Sequence, residues 1–360
     1  MGLDVVVIGA GQAGLAMGHF LARQGRRFAI LEAGGSVGAA WHDRWDSLTL
    51  FTPRRYDSLP GLPFPGDPEG YPGRDEVIAY LERYAATFEL PVELTSAVRS
   101  LTAVERGYRL ELEDGRTLET EQVVLATGPF QTPYVPRFAD RLAPEVVQMH
   151  STGYRRPDDV PEGTVLVVGG GNTGFQIAEE LAAMRRVHLS IGSRQMPLPQ
   201  RVLGRDLFWW LTRLGLLQKT VGSRLGRRLR DRASPLIGSS PRAIRRAGVV
   251  LEPRATDVSG RTVRFQDGSE LEVDAVIWAT GYRLDVSWIH PAVTDAEGRI
   301  RHRRGVTDLP GLYFLGVEWQ HTRGSALLGW VKDDAEFVAG QVAAYHETRA
   351  EQQARARSAA

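Results

Sequence analysis

Near the start of the chain stands Leu3-Asp4-Val5-Val6-Val7-Ile8-Gly9-Ala10-Gly11-Gln12-Ala13-Gly14, and this stretch indicates the fold class. The valine-rich start predicts a buried parallel strand, and the spacing of apolar residues over 13–22 predicts a helix after the glycines. Phe28–Leu31 predicts a second strand, which ends at Glu32. A Gly-x-Gly-x-x-Gly loop between a strand and a helix, with an acid after the next strand, is typical of dinucleotide binding.

Each glycine of this loop has a separate predicted role. Gly9 makes the tight turn, Gly11 lets the backbone approach a pyrophosphate, and Gly14 packs the helix against the strand. The free N–H groups at the helix N-terminus favour phosphate, and Glu32 can accept the hydroxyls of an adenosine ribose. The alternative is a glycine-rich turn that holds no ligand.

The same layout returns later in the chain. Thr164–Val168 predicts a strand, Gly169-Gly170-Gly171-Asn172-Thr173-Gly174 the loop, and 175–184 the helix. The following strand ends in Ser193-Arg194, where an acid would reject the 2′-phosphate of NADP. A hydroxyl and a guanidinium favour that phosphate, so the second loop predicts NADPH rather than NADH. The alternative is that Arg194 is only a solvated charge.

The repetition extends beyond the loops. Hairpins with Asp-Gly turns are predicted at 108–119 and 262–273, and each precedes an apolar strand that ends in Ala-Thr-Gly. We therefore predict an α/β fold with two Rossmann-like dinucleotide-binding domains, of the three-layer ββα, glutathione-reductase-like kind. Two nucleotide sites in one chain imply an electron relay from nicotinamide to flavin, and the acid-bearing first loop assigns FAD to the first unit. Residues 1–155 and 285–360 are therefore predicted to form the FAD-binding domain. Residues 156–284 are predicted to form the NADPH-binding domain, with a helical insertion at about 200–246.

Composition narrows the possible functions. The 360 residues contain no cysteine, which excludes disulfides, thiolate metal sites, iron–sulfur ligation and disulfide reduction through the chain's own cysteine pair. A net charge of +1 gives no global field for nucleic acid. No stretch is long enough to span a bilayer, so we predict a cytoplasmic protein without integral membrane association, either monomeric or homodimeric. No metal site is predicted.

Several segments together resemble the flavin-containing monooxygenases, especially compact bacterial members similar to plant indole-pyruvate monooxygenases. The resemblance covers nearly the whole chain. It is carried by Gly38-Ala39-Ala40-Trp41, Arg44-Trp45-Asp46-Ser47-Leu48-Thr49-Leu50-Phe51-Thr52-Pro53, Ala279-Thr280-Gly281-Tyr282 and Trp319-Gln320-His321-Thr322-Arg323-Gly324. His150 and Tyr154 also match the family's signature between its two domains, whereas Pro144 and Val146 depart from it. His150 is equally compatible with an ordinary linker histidine.

The resemblance implies an enzyme with FAD in the first domain and NADPH in the second. Reduced FAD would react with O2 to give a C4a-(hydro)peroxide, which transfers one oxygen atom to a small organic substrate. Gln320 and His321 are the candidates for catalytic side chains near the flavin. The predicted cofactor-binding residues are Gly9, Gly11, Gln12, Ala13, Gly14, Glu32, Ala33, Gly38, Trp41, Thr52, Val98, Ala126, Thr127, Gly128, Gly316, Thr322, Gly169, Gly171, Asn172, Thr173, Gly174, Ser193, Arg194, Ala279, Thr280 and Gly281.

The insertion has a different pattern. An apolar helix is predicted around Leu207–Leu217, and a run of arginines from Arg224 to Arg232 follows it. This pattern favours an amphipathic lid, which would suit a lipophilic substrate. A membrane-surface contact and a dimer face are the alternatives.

Two other functions are compatible with the two loops. One is an NADPH-dependent flavin or quinone reductase, or an NADPH oxidase. The other is a non-enzymatic, nucleotide-sensing regulatory subunit.

Overall fold

The computed structural model describes residues 2–231 and 235–358, and it confirms the predicted α/β class. Arg232 lies outside the described residues. The first part of the chain contains strands β1 Leu3–Ile8, β2 Phe28–Leu31, β3 Val92–Glu93, β4 Val98–Val104, β5 Gly107–Leu112, β6 Thr117–Leu125, β7 Thr132–Pro133 and β8 Val147–His150, with helices α1 Gln12–Arg23, α2 Ala39–His42 and α3 Arg74–Thr87.

The middle of the chain repeats this alternation and adds the insertion. Its strands are β9 Thr164–Val168, β10 Arg186–Ser190, β11 Pro197–Leu198, β12 Arg201–Val202, β13 Arg205–Asp206, β14 Leu236–Ile237, β15 Val250–Glu252, β16 Ala255–Ser259, β17 Thr262–Phe265, β18 Glu270–Glu272, β19 Ala275–Trp278 and β20 Tyr282–Arg283. Its helices are α4 Asn172–Ala182, α5 Leu207–Arg213, α6 Arg224–Arg230 and α7 Pro241–Arg246.

The chain ends with strands β21 Ile289–His290, β22 His302–Arg303, β23 Val306–Thr307 and β24 Leu312–Phe314, followed by helix α8 Val331–Ser358. The sequence after residue 324 predicts a last helix over about 325–345 and a polar, alanine-rich tail that frays from residue 347; both bounds of that helix are wrong. Residues 323–326 form a separate 3-10 turn capped by the Thr322 hydroxyl, so the α-helix starts only at Val331.

The first sheet has a parallel core in the order β3-β2-β1-β6-β24. Alternate residues of β1 point to opposite faces. Val5 and Val7 pack with helices α1, α3 and α8, whereas Val6 and Ile8 pack with the antiparallel strands β4 and β5. Both faces are therefore covered, which explains why this strand is apolar throughout rather than alternating. The predicted hairpin is present as β5–β6, with β6 continuing into the parallel core.

The second sheet repeats the plan with the parallel order β15-β10-β9-β19-β8. Its antiparallel companion is β16-β17-β18, which contains the second predicted hairpin. One face packs on α4 and α7, and the other on the antiparallel strands. In both sheets a glycine loop leaves the central strand at its carboxyl end, where ligands bind in open α/β sheets.

Among the described residues, none of the helices combines the length and the hydrophobicity that a membrane-spanning segment requires.

Candidate functional site

The first glycine loop has the geometry of a nucleotide cradle. Gly9 has a φ of +108°, and a Cβ there would lie 2.5 Å from the Ala126 carbonyl oxygen. A Cβ at Gly14 would lie 1.8 Å from the Gly9 oxygen, so these two positions require glycine for packing. Gly11 differs, because its φ is ordinary and a Cβ there would meet no atom within 4 Å. The fold leaves space at Gly11 that it does not itself need.

The second loop reproduces this pattern. Gly169 has a φ of +137°, and its Cβ would lie 2.1 Å from the Ala279 oxygen. A Cβ at Gly174 would lie 1.9 Å from the Gly169 oxygen, whereas one at Gly171 would meet nothing within 4 Å. The Ala-Thr-Gly segments that end β6 and β19 thus contribute the carbonyl that each loop packs against.

Glu32 organises the first site. Its carboxylate accepts hydrogen bonds from the backbone N–H of Ala10, at 2.8 Å, and of Gly34, at 2.9 Å. The Glu32 carbonyl accepts from Ser96, which brings the start of β4 and the predicted Val98 to the same edge. The predicted acid therefore lies directly beside the glycine loop.

Three other predicted residues converge on the first loop. Gly38 donates to the Ala10 carbonyl at 3.0 Å, and the Trp41 indole donates to the Gln12 side chain at 3.2 Å. Gly316 comes from the far end of the chain, and a Cβ there would lie 3.0 Å from the Ala13 Cβ. Segments separated by about 300 residues in sequence thus meet at the start of α1.

Thr52 reveals a buried acid that sequence reasoning missed. Its hydroxyl donates to Asp57 Oδ1 at 2.7 Å. Asp57 is fully buried, and its Oδ2 has no hydrogen-bond partner among the described residues. Burial raises the pKa of Asp57 to about 7, against the smaller opposing effects of Thr52 and Arg54. No sequence signal distinguishes this aspartate from the exposed ones.

A cavity of about 400 Å³ lies beyond the second loop, at the carboxyl ends of β10 and β15. Its lining includes the predicted Ser193 and Arg194, together with Arg245 near the end of α7. Two guanidinium groups on one cavity suit a phosphate. No sequence signal distinguishes Arg245 from the other arginines of its basic stretch.

Asn172 has a positioning role that the sequence did not predict. Its side chain donates to the Pro235 carbonyl and accepts from the Ile237 N–H, at 3.2 and 2.9 Å. These two hydrogen bonds therefore hold the segment 235–237 of the insertion beside the second glycine loop.

A polar network at the predicted signature histidine joins the second sheet to the loop after α2. His150 Nε2 lies 3.0 Å from the Gly281 carbonyl, and its Nδ1 lies 2.6 Å from the Thr152 hydroxyl. Burial lowers the pKa of His150, which favours the neutral form of the ring. The Tyr282 hydroxyl lies 3.2 Å from that of Thr152 and accepts from Arg44 at 2.5 Å. His150 therefore holds the second Ala-Thr-Gly segment, as a satisfied linker histidine does.

The two predicted catalytic side chains occupy different environments. Gln320 is 1% exposed; its Oε1 accepts from the Val317 N–H, and its Nε2 has no partner among the described residues. His321 is half-buried, and burial lowers its pKa. The His321 carbonyl accepts from Val221, so this segment contacts the insertion.

Comparison with known proteins identifies the family. The profile of the pyridine nucleotide-disulphide oxidoreductases matches residues 6–200, more than half of the chain. The chain belongs to that family. An uncharacterized CzcO-like oxidoreductase from Geobacillus kaustophilus is 45% identical over 94% of this chain and 98% of its own length. An indole-3-pyruvate monooxygenase from rice is 28% identical, covering 89% of this chain and 88% of the rice protein.

Solved structures show which enzymes within the pyridine nucleotide-disulphide oxidoreductases this chain is similar to. A flavin-containing monooxygenase from Stenotrophomonas maltophilia is 32% identical, with a TM-score of 0.80 over 96% of this chain and 99% of the other. The predicted resemblance to flavin-containing monooxygenases is confirmed, and the chain is an oxidoreductase of the flavin monooxygenase type. The family's name refers to disulfides, but this chain contains no cysteine pair with which to reduce them.

Proposed function

We propose that the chain is a monooxygenase that takes electrons from NADPH and inserts one atom of O2 into a small, lipophilic organic substrate. FAD is bound by residues 1–155 with 285–360, and NADPH by residues 156–284. The main support for the proposal is the geometry of the two glycine loops. In each loop a Cβ at the first or third glycine would collide with a backbone oxygen, whereas a Cβ at Gly11 or Gly171 would meet no atom. The likeness to flavin monooxygenases over the whole chain adds the reaction type.

Each loop offers its ligand a distinct set of groups. In the first, the N-terminus of α1 faces the pyrophosphate and Glu32 holds the adenosine ribose. In the second, α4 faces the pyrophosphate of NADPH, and Ser193, Arg194 and Arg245 surround the 2′-phosphate. Bound FAD supplies the chemistry, accepting hydride from the nicotinamide and reacting with oxygen.

The protein's part is to keep both nucleotides in place and the flavin pocket dry. Residue 316 of the C-terminal part reaches the first loop, and the insertion contacts His321 and Asn172. The segment 316–324, which carries Gln320 and His321, therefore lies between the first loop and the insertion. The rice relative is named for indole-3-pyruvate, a small organic molecule with an apolar indole ring.

A stopped-flow experiment tests the reaction type. The purified enzyme is reduced with NADPH under anaerobic conditions and then mixed with oxygen, and the flavin spectrum and released hydrogen peroxide are followed. We expect rapid reduction, then slow return of oxidised flavin with delayed peroxide release. Added to a panel of lipophilic substrates, the enzyme should give oxygenated product in proportion to NADPH consumed.

The alternative functions predict other outcomes. Immediate reoxidation with stoichiometric peroxide, or fast transfer to a quinone, would identify an oxidase or reductase instead. A protein that purifies with flavin that NADPH does not bleach would fit a nucleotide-sensing subunit. A cytoplasmic location, where NADPH is available, completes the proposal.

A further inference from the structure

A leucine stands at the tip of the hairpin formed by β12 and β13. Leu203 is 86% exposed, the largest value among the exposed large hydrophobic residues that the structure describes. It has a φ of +50° and is followed by Gly204 at +75°. Both turn positions have positive φ, which asparagine or glycine adopts readily and leucine does not. Leucine at this position therefore costs conformational energy and adds nothing to the packing of the fold.

The side chains beside this tip are apolar, aromatic and cationic. The Trp210 indole donates to the Val202 carbonyl at 2.9 Å, which fixes helix α5 against the hairpin. The Arg205 guanidinium lies 5.5 Å from the centre of the Trp209 ring. Leu214 follows Trp210 by one helical turn and is 61% exposed. We call residues 201–214 the insertion tip.

Charge around the insertion tip is strongly positive. Residues 201–231 carry seven arginines and one lysine against two aspartates, a surplus of six positive charges. One of the two aspartates, Asp206, is buried. Since the whole chain has a net charge of +1, the other residues together are net negative. The positive charge is therefore local to the insertion.

The inward side of the insertion is already occupied. Phe208 stacks on Phe51 with ring centres 5.8 Å apart, and it also packs at 5.7 Å from Trp330. Asp206 accepts a hydrogen bond from the Tyr71 hydroxyl at 2.6 Å. These contacts fix Asp206 and Phe208 on residues outside the insertion, whereas Leu203 and Leu214 stay exposed.

We propose that the insertion tip binds the surface of an anionic lipid membrane. Leu203 and Leu214 enter the boundary between headgroups and acyl chains, tryptophans lie at that boundary, and the arginines contact lipid phosphates. A symmetric dimer through this tip would bring two positive surfaces together, so charge complementarity favours anionic lipid over such a dimer. The inference does not depend on the reaction that the enzyme catalyses.

Vesicle co-sedimentation tests the proposal with the full-length, flavin-loaded protein. The probes are phosphatidylcholine vesicles with and without about 30% phosphatidylglycerol. We expect binding to the anionic vesicles, little to the neutral ones, and release as salt is raised. No binding of the unmodified protein to anionic vesicles at low salt would overturn the proposal.

Matched variants locate the contact. Leu203→Gly suits the turn backbone, so it should leave thermal stability intact and lower the partition coefficient at least fivefold. Arg201→Gln and Arg205→Gln should each lower it about fivefold. Met184→Ser, an exposed apolar residue after α4, and Arg106→Gln, in the β4–β5 turn, are the controls and should change nothing.

Two further outcomes would also overturn the proposal. One is equal binding by Leu203→Gly and the unmodified protein. The other is a dimer, seen by analytical ultracentrifugation, that Leu203→Gly dissociates while vesicle binding stays absent. Flavin content and NADPH oxidation rate, measured on the same samples, show that each variant is folded.

Discussion

At the scale of single residues, each glycine loop contains positions at which the fold requires glycine and one position at which it does not. Gly14 and Gly174 sit where a Cβ would collide with a backbone oxygen, whereas Gly11 and Gly171 sit where it would meet nothing. The glycine pattern was readable from sequence, because strand, loop and helix are contiguous. The roles of Arg245 and Asp57 could not be predicted from the sequence, because they depend on neighbours that are remote in the chain.

The cavity beside Ser193 predicts how the enzyme discriminates between cofactors. Arg194→Ala and Arg245→Ala should each raise the KM for NADPH about 10–100-fold, because each removes a charge-assisted hydrogen bond to the 2′-phosphate. The KM for NADH should hardly change. Arg246→Ala, the next residue of α7 and not among those that line the cavity, is the control. Equal increases for both cofactors would refute the phosphate site.

Asp57 predicts a pH dependence of stability. Its pKa is raised to about 7 by burial, so the folded state holds more protons than the unfolded state between about pH 4 and pH 7. The free energy of unfolding should therefore fall as pH rises through this window, by at most about 4 kcal/mol. Asp57→Asn keeps the shape without the charge and should remove this fall. An unchanged pH profile in the variant, measured by denaturant unfolding, would contradict the assignment.

At the scale of elements, the insertion is held by a small polar cluster. Asp206 caps α5 by accepting from the Phe208 N–H at 2.6 Å, and it also accepts from Tyr71 and Gln200. Gln200 in turn donates to the Phe51 carbonyl at 2.8 Å. One buried carboxylate therefore starts a helix and fastens the insertion to the first part of the chain.

Removal of this carboxylate should loosen the insertion. Asp206→Ala loses a helix cap and leaves the Tyr71 hydroxyl without its acceptor, which together should cost about 2–4 kcal/mol. Thermal unfolding and limited proteolysis within residues 200–231 are the measurements. Asp231→Ala, whose side chain is exposed beside Arg230, should have little effect. If Tyr71→Phe destabilises the Asp206→Ala variant as much as the unmodified protein, the two side chains are not coupled.

Sequence patterns predicted the parallel strands and hairpins of the two sheets well, and the last helix and the strand pairs of the insertion poorly. Phe28–Leu31 and the Asp-Gly hairpins are where the apolar spacing and turn chemistry placed them. The last helix was misjudged, because the Thr322 cap starts a 3-10 turn that ends before Val331. The short strand pairs of the insertion, such as β11 with β14, pair residues about 40 positions apart and left no local signal.

At the scale of the whole molecule, one plan is used twice for two ligands. Each parallel sheet has helices on one face and antiparallel strands on the other, and each places its glycine loop at the end of the central strand. Hydrogen bonds through Tyr282 and Thr152 connect Arg44, in the loop after α2, with His150 at the end of β8. The sequence predicted the repetition; the contacts that join the two halves emerged only in three dimensions.

The two open glycines, Gly11 and Gly171, test whether the first loop binds FAD and the second binds NADPH. The Gly11→Ala and Gly171→Ala variants should both fold, and their thermal stability without bound FAD should equal that of the unmodified protein without FAD, since neither Cβ meets an atom. The measurement is flavin content together with NADPH-driven bleaching of the flavin. We predict that Gly11→Ala purifies without FAD, whereas Gly171→Ala keeps FAD but needs at least tenfold more NADPH to bleach it. Loss of FAD from Gly171→Ala with retention in Gly11→Ala, or normal behaviour of both, would contradict the account.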